Sequence, residues 1–213
     1  MRLSLRSIIF AAIAIIGTMG TGTVPQAYAQ ENMRDSATVL MYHRFGEARY
    51  PSTNISLEQF DAHIAHLSSG AYNVMPLAEI IETLRSGNLL PDRTVAITID
   101  DAYKSVLEHA WPRLKAANFP FTLFVATSPI DRNLPSYMSW DDLRMLQQGG
   151  VAIGSQTHTH PHLHRKTPEQ VIEELQTSNQ RFIEELGFRP ELFSYPFGEY
   201  SSFVVYIVKD SGF

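Results

Sequence analysis

Six consecutive residues, Thr94 to Ile99 (TVAITI), set the tightest limit on how this chain can fold. They show no alternation of polar and apolar side chains. As a strand they therefore need cover on both faces, which is the situation of a strand inside a parallel sheet flanked by helices. Thr38 to Tyr42, Phe121 to Ala126, Val151 to Ser155 and the shorter Leu192 to Tyr195 also read as strands. Helical periodicity fills the gaps. Ser56 to Gln59 has the capping-box pattern, with Phe60, Ile64 and Leu67 following at helical spacing. Leu77 to Arg85 is a second helix closed by Gly87. Tyr103 to Leu114 is a third, which Pro112 should split or kink. Trp140 to Gln148 and Phe203 to Lys209 are two more. Pro168 to Leu186 has the fullest signature: Thr167 caps it, Pro168 opens it and Gln170 completes the box. Its Val171, Leu175, Phe182 and Leu186 share an inner face, and Glu173, Glu174, Glu184 and Glu185 are expected in water. Strand followed by helix, repeated, predicts one parallel β/α domain over residues 30–213, with its chemistry at the carboxyl ends of the strands.

The first 29 residues read differently. Arg2 and Arg6 precede an apolar run from Ile8 to Gly17, and Ala27-Tyr28-Ala29 fits a signal-peptidase site. The run is short for a bilayer span, so the expectation is a signal peptide over 1–29, export to the periplasm or medium, and no stable membrane span after cleavage. Losing two arginines and no acid leaves a net charge of −7. That acidity argues against nucleic acid as a partner.

Polar clusters do fall at the strand ends. Asp100-Asp101 directly follows TVAITI. Adjacent carboxylates there can share a cation, one binding it and the other accepting a proton, or they can cap the helix that follows. His158, His160, His162 and His164 crowd the segment after Val151 to Ser155. Clustered imidazoles suit a transition metal, although a solvated His-rich turn has the same composition. With no cysteine in the chain, a metal is left to His, Asp, Glu or an amide oxygen. His43, ending the first strand, either lines the site or holds a loop. His63, His66 and His109 sit on helices as surface or packing residues.

Three segments together resemble a known family. Thr98-Ile99-Asp100-Asp101 is similar to the T-F-D-D motif of the polysaccharide deacetylases, the nodulation-protein-B-type domain of carbohydrate esterase family four. Ile153 to Pro161 resembles that family's G-[NS]-H-[ST]-x-x-H-P motif, and Phe193 to Gly198 its F-R-P-P-Y-G motif. Trp140 to Leu143 matches the usual approach to the second motif, and Met41-Tyr42-His43 resembles the branch acting on exported poly-N-acetylglucosamine.

The resemblance implies a distorted parallel (β/α) barrel, incomplete at its C-terminus because the later motifs and their amine-protonating histidine have no counterpart. It implies Asp100 as general base, Asp101 and His160 as metal ligands, and backbone N–H groups near Tyr195 and Phe197 as oxyanion donors. The cofactor would be a divalent metal, zinc first, with cobalt, manganese or nickel as alternatives. The substrate would be an acetylated polysaccharide or oligosaccharide of chitin-like, peptidoglycan or poly-N-acetylglucosamine type, losing N-acetyl groups by hydrolysis. Two positions depart from the pattern. Gln156 stands where a metal-binding histidine belongs, leaving His164, His158 or Gln156 itself as third ligand, with His164 ranked first because a helical turn would put it on one face with His160. Ser194 replaces an arginine that orients the base. Two other functions fit the same residues: an O-acetyl esterase of the xylan type, and an inactive carbohydrate- or metal-binding module.

Overall fold

A computed structural model describes residues 33–213 of the chain. The expected signal peptide lies outside the described residues. The elements that position the site are β1 (Thr38–Tyr42), α1 (Leu57–Leu67), β2 (Asn73–Val74), α2 (Leu77–Arg85), β3 (Thr94–Ile99), α3 (Trp111–Ala116), β4 (Thr122–Val125), α4 (Thr127–Asp131), α5 (Trp140–Gln148), β5 (Ala152–Ser155), α6 (Pro168–Leu186) and α7 (Ser202–Asp210). The strands pair in parallel in the order β1-β3-β4-β5, with β2 against the start of β3. The α/β class with parallel strands is therefore as the sequence implied.

β3 is buried along its whole length, as its unbroken apolar character required. Its neighbours β1 and β4 cover its edges, while α1, α3, α5 and α6 contribute to one continuous apolar cluster that includes Phe60, Leu114, Leu143 and Phe182. Fully burying side chains of this size contributes about 1.5–3 kcal/mol each. The caps read from the sequence at Ser56 and Thr167 are formed, and Ser139 adds a third: each accepts from the backbone N–H three residues on, and the side chain there returns the bond.

Two segments differ from the sequence reading. The helix expected from Tyr103 is wound as a π-helix over Val106–Ala110 before it becomes α3. Pro112 explains this, because it has no N–H to give and its ring needs room from the preceding turn. Leu192 to Tyr195 is not a strand. Only Phe193 bridges Ser155, through Ser155 N–H to Leu192 O at 2.9 Å and Ser194 N–H to Ser155 O at 3.0 Å. Pro190 and Pro196 flank this stretch and cannot donate to a longer ladder.

Gly154 allows β4 and β5 to lie as they do. A Cβ at that position would sit 2.5 Å from the Phe124 ring and 3.0 Å from Leu192 O. The next residues of β5 lead straight into the histidine-rich loop.

Candidate active site

The carboxyl ends of β1, β3 and β5 and the loop after Phe193 surround a cavity of about 580 Å³, lined among others by His43, Asp100, Asp101, Gln156, His160 and Ser194. Asp100 continues the ladder of β3, its N–H bonded to Tyr42 O at 2.8 Å. At Asp101 and Ala102 the backbone turns left-handed, with φ of 73° and 55°. This break separates the two carboxylates, Asp100 staying more deeply buried at the strand end than Asp101, while both line the cavity.

Asp100 is 5% exposed. Burial and the neighbouring charge of Asp101 raise its carboxyl from 3.8 to about 7, against the opposing hydrogen bonds from Gln156 and Ser194. The Gln156 amide nitrogen donates to Asp100 Oδ2 at 3.2 Å. Asp101 Oδ1 faces His160 Nε2 at 3.6 Å, near enough for attraction but too long for a hydrogen bond. Burial lowers the basicity of both His160 and His43, while Asp101 draws each the other way. Both rings are therefore held toward the neutral form that binds metals or accepts protons.

His160 is itself left-handed, with φ of 58°, as are Thr157 (71°) and Phe197 (61°). Such backbone is rare for side chains with a Cβ, and costs about 1–3 kcal/mol per residue unless neighbours enforce it. The His160 N–H donates to Thr157 Oγ1 at 3.0 Å, and its ring meets Phe197 edge-on at 4.6 Å. Phe197 stacks on His162 at 4.1 Å with the rings 17° apart.

Not all the sequence candidates converge. His164 does not line the cavity; its Nδ1 lies 3.3 Å from Glu199 Oε2, an oxygen already held by His162 at 2.6 Å. The helical turn expected to align His164 with His160 is absent. The 3₁₀ turn begins only at Leu163, after Pro161, and points the ring at Glu199. His158 is tied to Thr127 Oγ1 at 2.8 Å and also stays off the cavity wall. Tyr195 and Phe197 do line it. Glu174, expected in water, turns instead to the backbone of His158 and Thr159.

The sequence reading did not anticipate the aromatic wall. Tyr103 and Tyr137 line the cavity with ring centroids 4.8 Å apart. Arg44, 7% exposed, lies over the Tyr103 ring at 3.3 Å and pairs with Glu47 at 2.8 Å. The available signal was an arginine directly after a strand-end histidine, too short a pattern to interpret. His43 itself proves to line the cavity.

Among the described residues no three His, Asp or Glu side chains are grouped to hold a metal ion. Two such side chains, Asp101 and His160, do face each other across the cavity. Gln156 lines the same cavity, and its Oε1 is buried without a hydrogen-bond partner. A buried, unpartnered carbonyl is costly and therefore uncommon. An acid, an imidazole and a free amide oxygen make an acceptable donor set for a divalent cation.

The fold and this wall of strand-end groups define an α/β protein whose reactive side chains gather at the carboxyl ends of parallel strands. The family model for polysaccharide deacetylase matches residues 88–213, and the chain belongs to that family. It is similar to YxkH of Bacillus subtilis, named as a polysaccharide deacetylase, at 25% identity over 175 residues. That match takes in 82% of this chain and 61% of YxkH, so the chain spans less than two thirds of this relative. It is 23% identical over 205 residues to the poly-β-1,6-N-acetyl-D-glucosamine N-deacetylase of Staphylococcus aureus, covering 84% of this chain and 70% of that protein. Among solved structures, IcaB from Ammonifex degensii superimposes with a TM-score of 0.74 at 26% identity, over 83% of this chain and 81% of that one. The Streptococcus pyogenes deacetylase PplD, solved with acetate, gives a TM-score of 0.76 at 20% identity, over 83% and 80%.

Proposed function

We propose that this chain is the catalytic domain of an exported, metal-dependent enzyme that hydrolyses N-acetyl groups of a polymer containing N-acetylglucosamine. The observation that carries the proposal is the meeting of Asp100, Asp101 and His160 in one cavity, with the unpartnered Gln156 oxygen beside them. The substrate class rests on the name of the Staphylococcus aureus relative. Export rests on the basic, apolar and small-residue pattern of residues 1–29; among the described residues no helix is long and apolar enough to cross a membrane.

Asp101, His160 and Gln156 Oε1 would hold the cation. Bound there, it supplies a Lewis acid that favours ionised water and the charge of a tetrahedral oxyanion. The chain's own groups do the rest. Asp100, ionising at about 7, is matched to take a proton from water near neutral pH. Gln156 and Ser194 fix its carboxylate by hydrogen bonds, so Ser194 keeps part of the orienting role of the missing arginine. Pro196 has no N–H, which leaves those of Tyr195 and Phe197 to donate to the oxyanion. The proton that Asp100 takes from water has to reach the departing amine, and His43, the remaining imidazole on the cavity wall, accepts it and passes it on.

The test is acetate release from poly-N-acetylglucosamine and chitooligosaccharide by the protein loaded with zinc, cobalt or manganese. Asp100→Asn should abolish release while metal still binds. Release surviving that change would refute the base, and release from acetylated xylan alone would make the protein an O-acetyl esterase. Glycan binding without any acetate would make it a binding module.

A further inference from the structure

The loop that carries His160 is shaped by a carboxylate that lies 16 residues beyond His158 in the sequence. Glu174, in the second turn of α6, accepts from His158 N–H at 3.0 Å and from Thr159 N–H at 2.7 Å through one oxygen. Its other oxygen takes the Thr159 hydroxyl at 2.5 Å. Three donors on two successive residues thus converge on one anion. Immediately on either side of that pair lie the left-handed Thr157 and His160.

This geometry has a cause and a consequence. A left-handed β-branched residue is an outlier that persists only where its surroundings over-determine it. From one side the opening of α4 holds the loop: Thr127 N–H bonds Thr157 O at 3.2 Å, and Ser128 N–H bonds His158 O at 2.8 Å. From the other side Glu174 pulls the two amides after Thr157 toward α6. Between these grips the loop has one path, which brings His160 Nε2 to 3.6 Å from Asp101. Charge-assisted bonds of this kind are about twice as strong as neutral ones.

We infer that Glu174 is a positioning residue for the metal centre: it touches neither cation nor substrate, and it sets the direction of His160 through the backbone of residues 158–159. The inference rests on the proposed metal site and adds to it a residue from a helix face that a helical wheel assigns to solvent.

The experiment measures binding of Zn²⁺ and Mn²⁺ alone to the full chain by calorimetry, for the native protein and for Glu174→Ala, Glu174→Gln and His160→Ala. His160→Ala tests the underlying site: if it binds metal like the native protein, the metal-site reading falls whatever Glu174 does. Given a loss in His160→Ala, Glu174→Ala should weaken metal binding by about 10–100-fold, the usual effect of removing a partner behind a metal ligand. Glu174→Gln keeps an oxygen for the two amides and should recover most of that loss. A folded Glu174→Ala protein with native affinity overturns the inference, because a merely structural carboxylate would lower the melting temperature and leave affinity unchanged. Should Glu174→Ala fail to fold, Thr159→Ala removes one of the three bonds and leaves α6 intact. Weaker metal binding in that variant supports the inference, and unchanged binding overturns it.

Discussion

Asp100 should make the metal-free protein less stable as pH rises from 4 to 7. In the unfolded chain its carboxyl ionises near 3.8; in the fold, burial and the charge of Asp101 delay ionisation to about 7. A group raised in this way is neutral in both states below 3.8, so there is no penalty at low pH. Between 3.8 and 7 the unfolded chain gives up its proton and the folded chain does not, and the difference grows with each pH unit by 1.36 kcal/mol. Over about three pH units this amounts to about 4 kcal/mol, complete above pH 7. For a domain of this length that corresponds to about 8–16 °C in Tm. The assay is thermal unfolding of chelator-treated protein from pH 4 to 8, compared with Asp100→Asn. His43 and His160, both lowered by burial, oppose the trend at the acid end, but they are common to both proteins. The Tm of the native protein relative to that of the variant should therefore fall across the window. Parallel curves would refute the account of Asp100.

Two further outcomes follow from local geometry. Gly154→Ala drives a methyl group into the Phe124 ring and Leu192 O, and should destabilise by about 1–3 kcal/mol, read as a Tm about 2–12 °C lower; an unchanged Tm would show that the ring moves freely. Gln156→His replaces a neutral amide oxygen with an imidazole and should tighten zinc binding on the order of tenfold or more by calorimetry, whereas weaker binding would exclude position 156 from the metal's surroundings.

Much of this architecture could be read from the sequence because its signals are local. The unbroken TVAITI run dictated a covered parallel strand, and the Ser56 and Thr167 caps specify helix starts within three residues. Asp100, Asp101 and His160 were legible for a related reason: strand ends in such folds face one rim. What escaped depends on contacts between distant segments. The ranking of His164 assumed a helical turn that Pro161 and the late 3₁₀ turn do not provide. Glu174 was assigned to solvent because a helical wheel sorts polar from apolar and knows nothing of a loop passing overhead. Tyr103 was read as the start of a helix and Tyr137 belongs to no periodic pattern, and they meet only because the chain after the strand-end aspartates folds back on them.

The left-handed backbone at Asp101, Thr157, His160 and Phe197 concentrates conformational expense on the rim where the reactive groups sit. Glycine adopts such angles freely. A screen that rewarded only heat resistance would thus be drawn to these four positions, and at two of them it would collect sturdier molecules without the Asp101 carboxylate or the His160 imidazole.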